Sequence, residues 1–396
     1  MTRTRLLLAA RAQQQPEWAS LDDLKRVLRA LEQKPRLVDA SVCADLTAEL
    51  ARAALGEAFV LQIGECAERF EDATPATVLA KAEQLHRLAD ALADATGMPV
   101  VRIGRIAGQY AKPRSSETET LADGSLLPVY RGDAVNSPEP TPQSRTADPD
   151  RLLRAYHHAE ATLSILFERD LGLAGPTAPK RTYASHEALL LEFEQALVRP
   201  LLDSMGAYGS SGHFLWIGER TRQLDHEHVA FAASIANPVG IKIGPDADPD
   251  DVRALVHLLN PRRQLGRLSL IVRMGAARIE RRFPALLDAL SHEAPGVVWI
   301  CDPMHGNTRV SGAGQKTRTV TDITAEIEGF ASALRHRGLP IGGLMLETAH
   351  TPVTECVATR EELESPVPLP GYESACDPRL NPEQAKAVVA FMADQL

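Results

Sequence analysis

Four side chains able to bind a metal stand far apart in the chain. They are Cys66 in "LQIGECAERF", His305 in "CDPMHGNT", Glu347 in "GGLMLETAH" and Asp377 in "SACDPRLNPEQA". A thiol, an imidazole and two carboxylates make a mixed donor set suited to a divalent transition metal. The carboxylates favour Mn²⁺, and the sulfur and nitrogen admit Co²⁺, Fe²⁺ or Zn²⁺. No CxxC pattern links them, so each has a plainer reading too: Cys66 as a small buried hydrophobe, His305 as a satisfied core histidine. "SHEALLLEFE" is not a zinc-protease helix, because Leu190 stands where HExxH needs its second histidine. Cys43 and Cys356 receive no role, and the adjacent His157 and His158 cannot share one helix face.

A second set is cationic: Arg105, Lys112, Arg114, Arg220, Lys242 and Arg273. Guanidinium forks match phosphate and carboxylate, and an ammonium adds a point charge. In "RIGRIAGQYAKPRSS", Pro113 stiffens a turn on which Lys112, Arg114 and Ser115 can face one phosphate. The competing reading is local ion pairing, with Glu65 and Glu219 close by in sequence.

Short apolar runs place these groups. They are "AFVLQIG" (58–64), "PVVRIGR" (99–105), "HFLWIGE" (213–219), "VGIKIG" (239–244), "LSLIVRMG" (268–275), "GVVWICDP" (296–303) and "GGLMLE" (342–347), with a weak eighth at "ESACD" (373–377). Each ends in, or carries near its end, a residue of one of the two sets or an acid such as Asp302 or Glu219. Continuous apolar runs separated by helical stretches predict parallel strands covered on both faces. Seven or eight such units predict a (β/α)8 TIM barrel, whose active sites lie at the C-terminal strand ends. The alternative is an open doubly wound sheet, but no GxGxxG follows the first strand. The expected organisation is one domain, 1–396, with a helical segment over 1–57 and the barrel over 58–396. A long connection joins the second and third strands. It holds loops at 136–150 and 173–182, and helices over "RLLRAYHHAEATLSILFERDL" and "SHEALLLEFEQALVRPLL".

The chain has 396 residues, is 44% hydrophobic and carries a formal net charge of −9. That charge argues against nucleic acid or an anionic membrane as a partner. No apolar run approaches the roughly 20 residues of a membrane span. The run in "MTRTRLLLAARAQQQPEW" is too short for a signal peptide and reads as a first helix. Five cysteines do not make a disulfide framework, which places the protein in a reducing cytoplasm.

The stretches "LQIGECAERF", "RIGRIAGQYAKPRS", "LPVYRGDAVNS", "SHEALLLEFEQAL", "WIGERTRQLD", "NPVGIKIGP", "RMGAARI", "CDPMHGNT", "LETAHTPVTEC" and "CDPRLNPEQA" run in order over about residues 58–390. On these the chain resembles the class II (plant-type) 3-deoxy-D-arabino-heptulosonate 7-phosphate (DAHP) synthases of the shikimate route. The resemblance implies a metal-dependent barrel, with Mn²⁺ or Co²⁺ expected, that condenses phosphoenolpyruvate with erythrose 4-phosphate. It makes Cys66, His305, Glu347 and Asp377 the metal ligands. It sets Arg105, Glu219, Arg220, Lys242 and Arg273 around phosphoenolpyruvate, with Glu219 and Lys242 positioning water. Lys112, Arg114 and Ser115 would receive erythrose 4-phosphate, with Asp302 near its hydroxyls. A homo-oligomer, a dimer favoured, is implied, and a chorismate mutase partner is compatible. The chain lacks the longer N-terminal extension and the extra helices between "YRGD" and "SHEALL" that carry aromatic amino acid regulation. Weak or absent feedback is therefore expected, as in compact forms serving secondary metabolism such as phenazine synthesis. "LETAH" departs from the usual continuation after the glutamate ligand. Cys376, next to Asp377, would remove a metal ligand if it formed a reversible disulfide with Cys66. The rivals are an amino-analogue synthase with the same motifs, a metal-dependent phosphosugar hydrolase or aldolase, and a non-catalytic scaffold barrel.

Overall fold

Seven of the eight strands come where the chain offers mainly apolar runs too short for helices. β1 is Phe59–Gly64, β2 Val100–Arg105, β3 Tyr183–Glu187, β4 Phe214–Ile217, β5 Val239–Ile243, β6 Leu268–Val272, β7 Val298–Cys301 and β8 Gly343–Glu347. In this computed structural model, which describes residues 12–121, 124–172, 180–202, 205–293 and 296–396, they form one closed parallel barrel in sequential order. Two helices, α1 (Leu21–Glu32) and α2 (Ala40–Ala54), precede it. The outer helices are α3 (Pro75–Thr96), α4 (Asp150–Gly172), α5 (Leu191–Ala196), α6 (Glu227–Ser234), α7 (Pro249–Leu259), α8 (Ile279–Ala289), α9 (Val320–Arg335) and α10 (Pro382–Ala393).

The (β/α)8 barrel is the expected fold, and the 106–182 connection between β2 and β3 is long as expected. Three expectations are corrected. The weak strand at 373–377 is a loop, where the Glu373 and Ser374 N–H groups donate to buried Glu355. The missing strand is instead Tyr183–Glu187, inside the segment expected to be helical, and the helix there shrinks to Leu191–Ala196. Its polar residues hid it. Ser185 is buried because it accepts from Gln62 and donates to the Gly104 carbonyl, and buried His186 bonds Glu194 at 2.8 Å. The 136–150 stretch is loop apart from one turn at Pro142–Arg145. Of the first helix expected over residues 1–18, residues 12–18 are turn and irregular chain and not helix, while residues 1–11 and the loop at 173–179 lie outside the described residues. Among the described residues, no helix is long and apolar enough to cross a membrane.

Alternation along each strand splits the core. Outward residues pack under the helices. Inward residues, among them Val60, Val101, Tyr183, Phe214, Ile271, Val298 and Met345, fill the barrel. Leu46, Leu50 and Ala53 of α2 join this interior cluster and close it at the N-terminal strand ends. Gly266, just before β6, sits at that closure with φ +76°, and a Cβ there would lie 2.0 Å from the Thr47 carbonyl oxygen. Gly266→Ala should therefore cost about 2–4 kcal/mol, combining a left-handed backbone with overpacking. Chemical denaturation checks this; an unmoved midpoint would show that α2 slides freely.

Candidate active site

The same alternation puts charge at the other end of the barrel. The last inward position is Arg105 on β2, Glu187 on β3, Lys242 on β5 and Glu347 on β8, while Arg273 and Asp302 come one residue past β6 and β7. Cys66 follows β1, and Glu219 and Arg220 follow β4. Asp377 arrives from the loop between β8 and α10.

His305, Glu347 and Asp377 each offer a ligand atom within 4.8 Å of the others. Cys66 adjoins them, its sulfur accepting the Asp377 N–H at 3.4 Å. Glu347 is fully buried and ringed by cations. Its Oε1 lies 3.1 Å from Arg105, 3.2 Å from Lys112 and 3.0 Å from His305 Nε2, and its Oε2 lies 2.8 Å from Arg318. Lys112 also reaches Asp377 at 3.0 Å, and Lys316 does so at 3.2 Å. Burial alone would raise the Glu347 and Asp377 carboxyls, but these cations hold both well below the usual range. The Cys376 thiol, with Lys112 assisting against burial, lowers the Cys66 thiol below its ordinary value, which favours the thiolate.

These residues fit a divalent metal. His305 Nδ1 lies 2.8 Å from Asp302; with the proton on Nδ1, Nε2 presents its lone pair toward Glu347. Glu347 Oε2 is buried without an aligned hydrogen-bond donor. Thiolate, imidazole and two ionised carboxylates then converge from four segments.

The remaining residues of "CDPMHGNT" hold this corner. Cys301 and Met304 are core, and Asp302 is buried against His305 and Lys242. Asn307 accepts the Ala276 N–H and donates to Glu326 at 2.7 Å. Glu326 also accepts the Met274 and Gly275 N–H groups, which ties the His305 loop to the loop after Arg273.

Beside the donor set opens a solvent-connected cleft. Arg105, Lys112, Arg114, Ser115, Glu219, Arg220, Lys242 and Arg273 all line it, as do His305 and Asp377. Trp216 forms its floor, with Arg105 5.4 Å and Lys242 5.9 Å from the ring centre. Burial pushes the Lys242 ammonium down to about 8, even though it pairs with Asp302. The acids that could have quenched the cations are used elsewhere. Glu65 pairs with Lys81 and Arg379, and Glu219 takes Arg222 at 2.8 Å and the Gly244 N–H. Among the described residues, Arg114, Arg220 and Arg273 line the cleft without a carboxylate partner.

Three expected residues do not face the cleft. Cys66 and Glu347 lie behind it, and Asp302 lies beneath Lys242 and His305. Sequence reading missed Gln109, Glu187, Trp216, Lys316 and Arg318. Trp216 and Glu187 were findable from inward alternation, once β3 was seen as a strand. Lys316 and Arg318 come from a polar hairpin after "HGNT" (Arg309–Val310 with Lys316–Thr317), which carries no sequence signal of its own.

A closed eight-stranded parallel barrel with charged groups gathered at its C-terminal rim is the architecture of a (β/α)8-barrel enzyme. Residues 3–174 and 174–393 match the class-II DAHP synthetase family, and the chain belongs to that family. Proteins named phospho-2-dehydro-3-deoxyheptonate aldolase in Streptomyces coelicolor and Mycolicibacterium smegmatis are 38% and 36% identical. Those matches cover 97% and 98% of this chain and 95% and 93% of the relatives. A probable phospho-2-dehydro-3-deoxyheptonate aldolase of Pseudomonas fluorescens is 41% identical, covering 98% of this chain and 96% of its own. The first two matches extend over 427 and 438 residues, more than the 396 here, so those relatives carry insertions; the third extends over 389. A solved phospho-2-dehydro-3-deoxyheptonate aldolase from Francisella tularensis shares the fold, at TM-score 0.57 and 14% identity over 93% of this chain and 95% of that one.

Proposed function

We propose that this DAHP synthase joins phosphoenolpyruvate, D-erythrose 4-phosphate and water into DAHP and inorganic phosphate with a divalent metal, Mn²⁺ or Co²⁺, held by Cys66, His305, Glu347 and Asp377. The observation that carries this reading is Lys112, which bonds Glu347 and Asp377 and also lines the cationic cleft. A donor set and an anion site therefore share one wall. Arg105, Arg220, Lys242 and Arg273 take the phosphate and carboxylate of phosphoenolpyruvate; Arg114 and Ser115, with Lys112, take the sugar phosphate. Holding two mutually repelling anions in register is a large part of the catalysis.

The metal, when bound, supplies Lewis-acid polarisation of the aldehyde. The enol carbon of phosphoenolpyruvate bonds to the aldehyde carbon, whose oxygen takes a proton. Water held between Glu219 and Lys242 adds to the carbon left electron-poor. Glu219 is steadied for this by Arg222 and the Gly244 N–H. The C–O bond to phosphate then breaks and the ketone forms. Asp302 serves as a positioning residue, fixing the His305 ring and the Lys242 ammonium together.

Between "YRGD" and "SHEALL" the described residues hold one short turn and the single helix α4, which supports an enzyme without feedback by Phe, Tyr or Trp, feeding secondary metabolism. Five unpaired cysteines support a reducing cytoplasm. Exposed Phe167, Leu171, Leu202 and Met205 offer apolar surface for a dimer or for a chorismate mutase partner, which sedimentation velocity would read.

Phosphoenolpyruvate consumption tests the reading. Chelation should abolish turnover, Mn²⁺ or Co²⁺ should restore it, and the three amino acids should leave it unchanged. Turnover only with the amino analogue would reassign the substrate, and turnover untouched by chelation would remove the metal. Mild oxidation should lower both free thiols and bound metal through a Cys66–Cys376 disulfide; metal retention with two thiols lost would refute that pairing.

A further inference from the structure

Residues 13–18 cross the rim of the catalytic face before α1 begins, and two adjacent glutamines fasten them there. Gln15 grips the loop after β3, its amide donating to the Leu189 carbonyl at 2.7 Å and accepting the Leu191 N–H at 3.1 Å. Gln14 grips the loop after β2. Its Oε1 accepts the Arg114 N–H at 2.8 Å, and its carbonyl accepts from the Arg131 guanidinium at 3.3 Å. Arg131 in turn accepts the Lys112 N–H on its own carbonyl at 2.9 Å.

These bonds close a ring around Pro113. Proline has no N–H, so the donors available on this stretch are those of Lys112 and Arg114, and the ring uses both. The backbone carrying Lys112, Arg114 and Ser115 is thereby fixed from outside the barrel. Gln14 holds its post at φ +62°, a conformation that L side chains rarely adopt. Such a conformation persists where several contacts over-determine it, as they do here.

We propose that Gln14 is a positioning residue for the sugar-phosphate subsite, setting the reach of Arg114 and Ser115 without touching substrate itself. This rests on the reading of that subsite given above. It assigns to the segment before α1 a part in substrate discrimination that none of the sequence motifs carries. The phosphoenolpyruvate residues Arg105, Arg220, Lys242 and Arg273 stand at the ends of β2, β4, β5 and β6, and none of them bonds Gln14.

The test is steady-state kinetics on the full chain with both substrates varied, for Gln14→Ala, Gln14→Gly and Gln14→Glu. Losing one oriented hydrogen bond should raise the erythrose 4-phosphate KM about tenfold in Gln14→Ala. The phosphoenolpyruvate KM should stay within about twofold, since none of its residues bonds Gln14. Gln14→Gly should behave like Gln14→Ala even though it relieves the backbone. Gln14→Glu keeps an acceptor oxygen beside Arg114 and Arg131 and should restore the wild-type value. Hydrogen exchange at the 112–116 segment should quicken in Gln14→Ala, a readout that needs no turnover. An unmoved erythrose 4-phosphate KM in an otherwise normal enzyme would overturn the role of Gln14 alone. So would a parallel rise in both KM values with a lowered melting temperature, which would mark a merely structural contact. A wild type that does not turn over erythrose 4-phosphate would bring down the functional reading, and the role of Gln14 with it.

Discussion

Glu347→Gln should lose about 10³-fold or more in kcat, with excess Mn²⁺ failing to restore it, because a Lewis acid contributes several kcal/mol to charge stabilisation. The substitution keeps the shape of the side chain and removes its charge. Glu347 is fully buried and faces Arg105, Lys112, His305 and Arg318. Removing the carboxylate leaves those cations to repel one another in a poorly solvated corner. Stability should therefore fall as well, by about 3–5 kcal/mol, the usual cost of breaking a buried ion pair from one side. Metal titration followed by denaturation of the metal-free proteins separates the two effects. Metal affinity and turnover near wild type would remove Glu347 from the donor set.

Lys242→Met should lower kcat/KM for phosphoenolpyruvate by about 10²–10³, the range seen when one pre-set electrostatic group is removed. The ammonium of Lys242 lies in the cleft over Trp216 and is anchored by Asp302. Burial lowers its pKa from the ordinary lysine value to about 8. The sign follows directly. Below that pH the group is charged and attracts the substrate; above it the charge is lost and binding weakens. Wild-type kcat/KM should thus fall on an alkaline limb near pH 8, where an ordinary lysine would titrate above 10. The limb should be absent from the residual activity of Lys242→Met. A wild-type profile flat to pH 9.5 would show that another cation carries the phosphate.

Seven strands were legible because each is a mainly apolar run, and the charges at their ends were legible because strand ends show as changes of composition. β3 was not, since Ser185 and His186 are buried polar residues whose partners, Gln62, Gly104 and Glu194, lie elsewhere in the chain. The candidate donors Cys66, His305 and Glu347 stood out by residue type near strand ends and Asp377 by its family motif, and the cations lining the cleft stood out by their charge and the family motifs. Arg318 was invisible: it comes from a polar hairpin and meets Glu347 only through tertiary structure. The bonds of Gln14 and Gln15 were hidden for the same reason, because an amide in a polar stretch carries no pattern.

The sequential order of the barrel also bears on how activity arises during folding. Each strand pairs with its neighbour in sequence, except that β1 must also find β8 to close the ring. That last pairing joins distant parts of the chain, and contacts of such long range are the slow ones. Cys66 and the Asp377 N–H, 311 residues apart, meet across the same seam. A nascent or refolding chain can therefore bury much of its core before it owns a donor set. Recovery of metal binding should lag behind recovery of helical signal, and catalytic competence reports ring closure and not collapse.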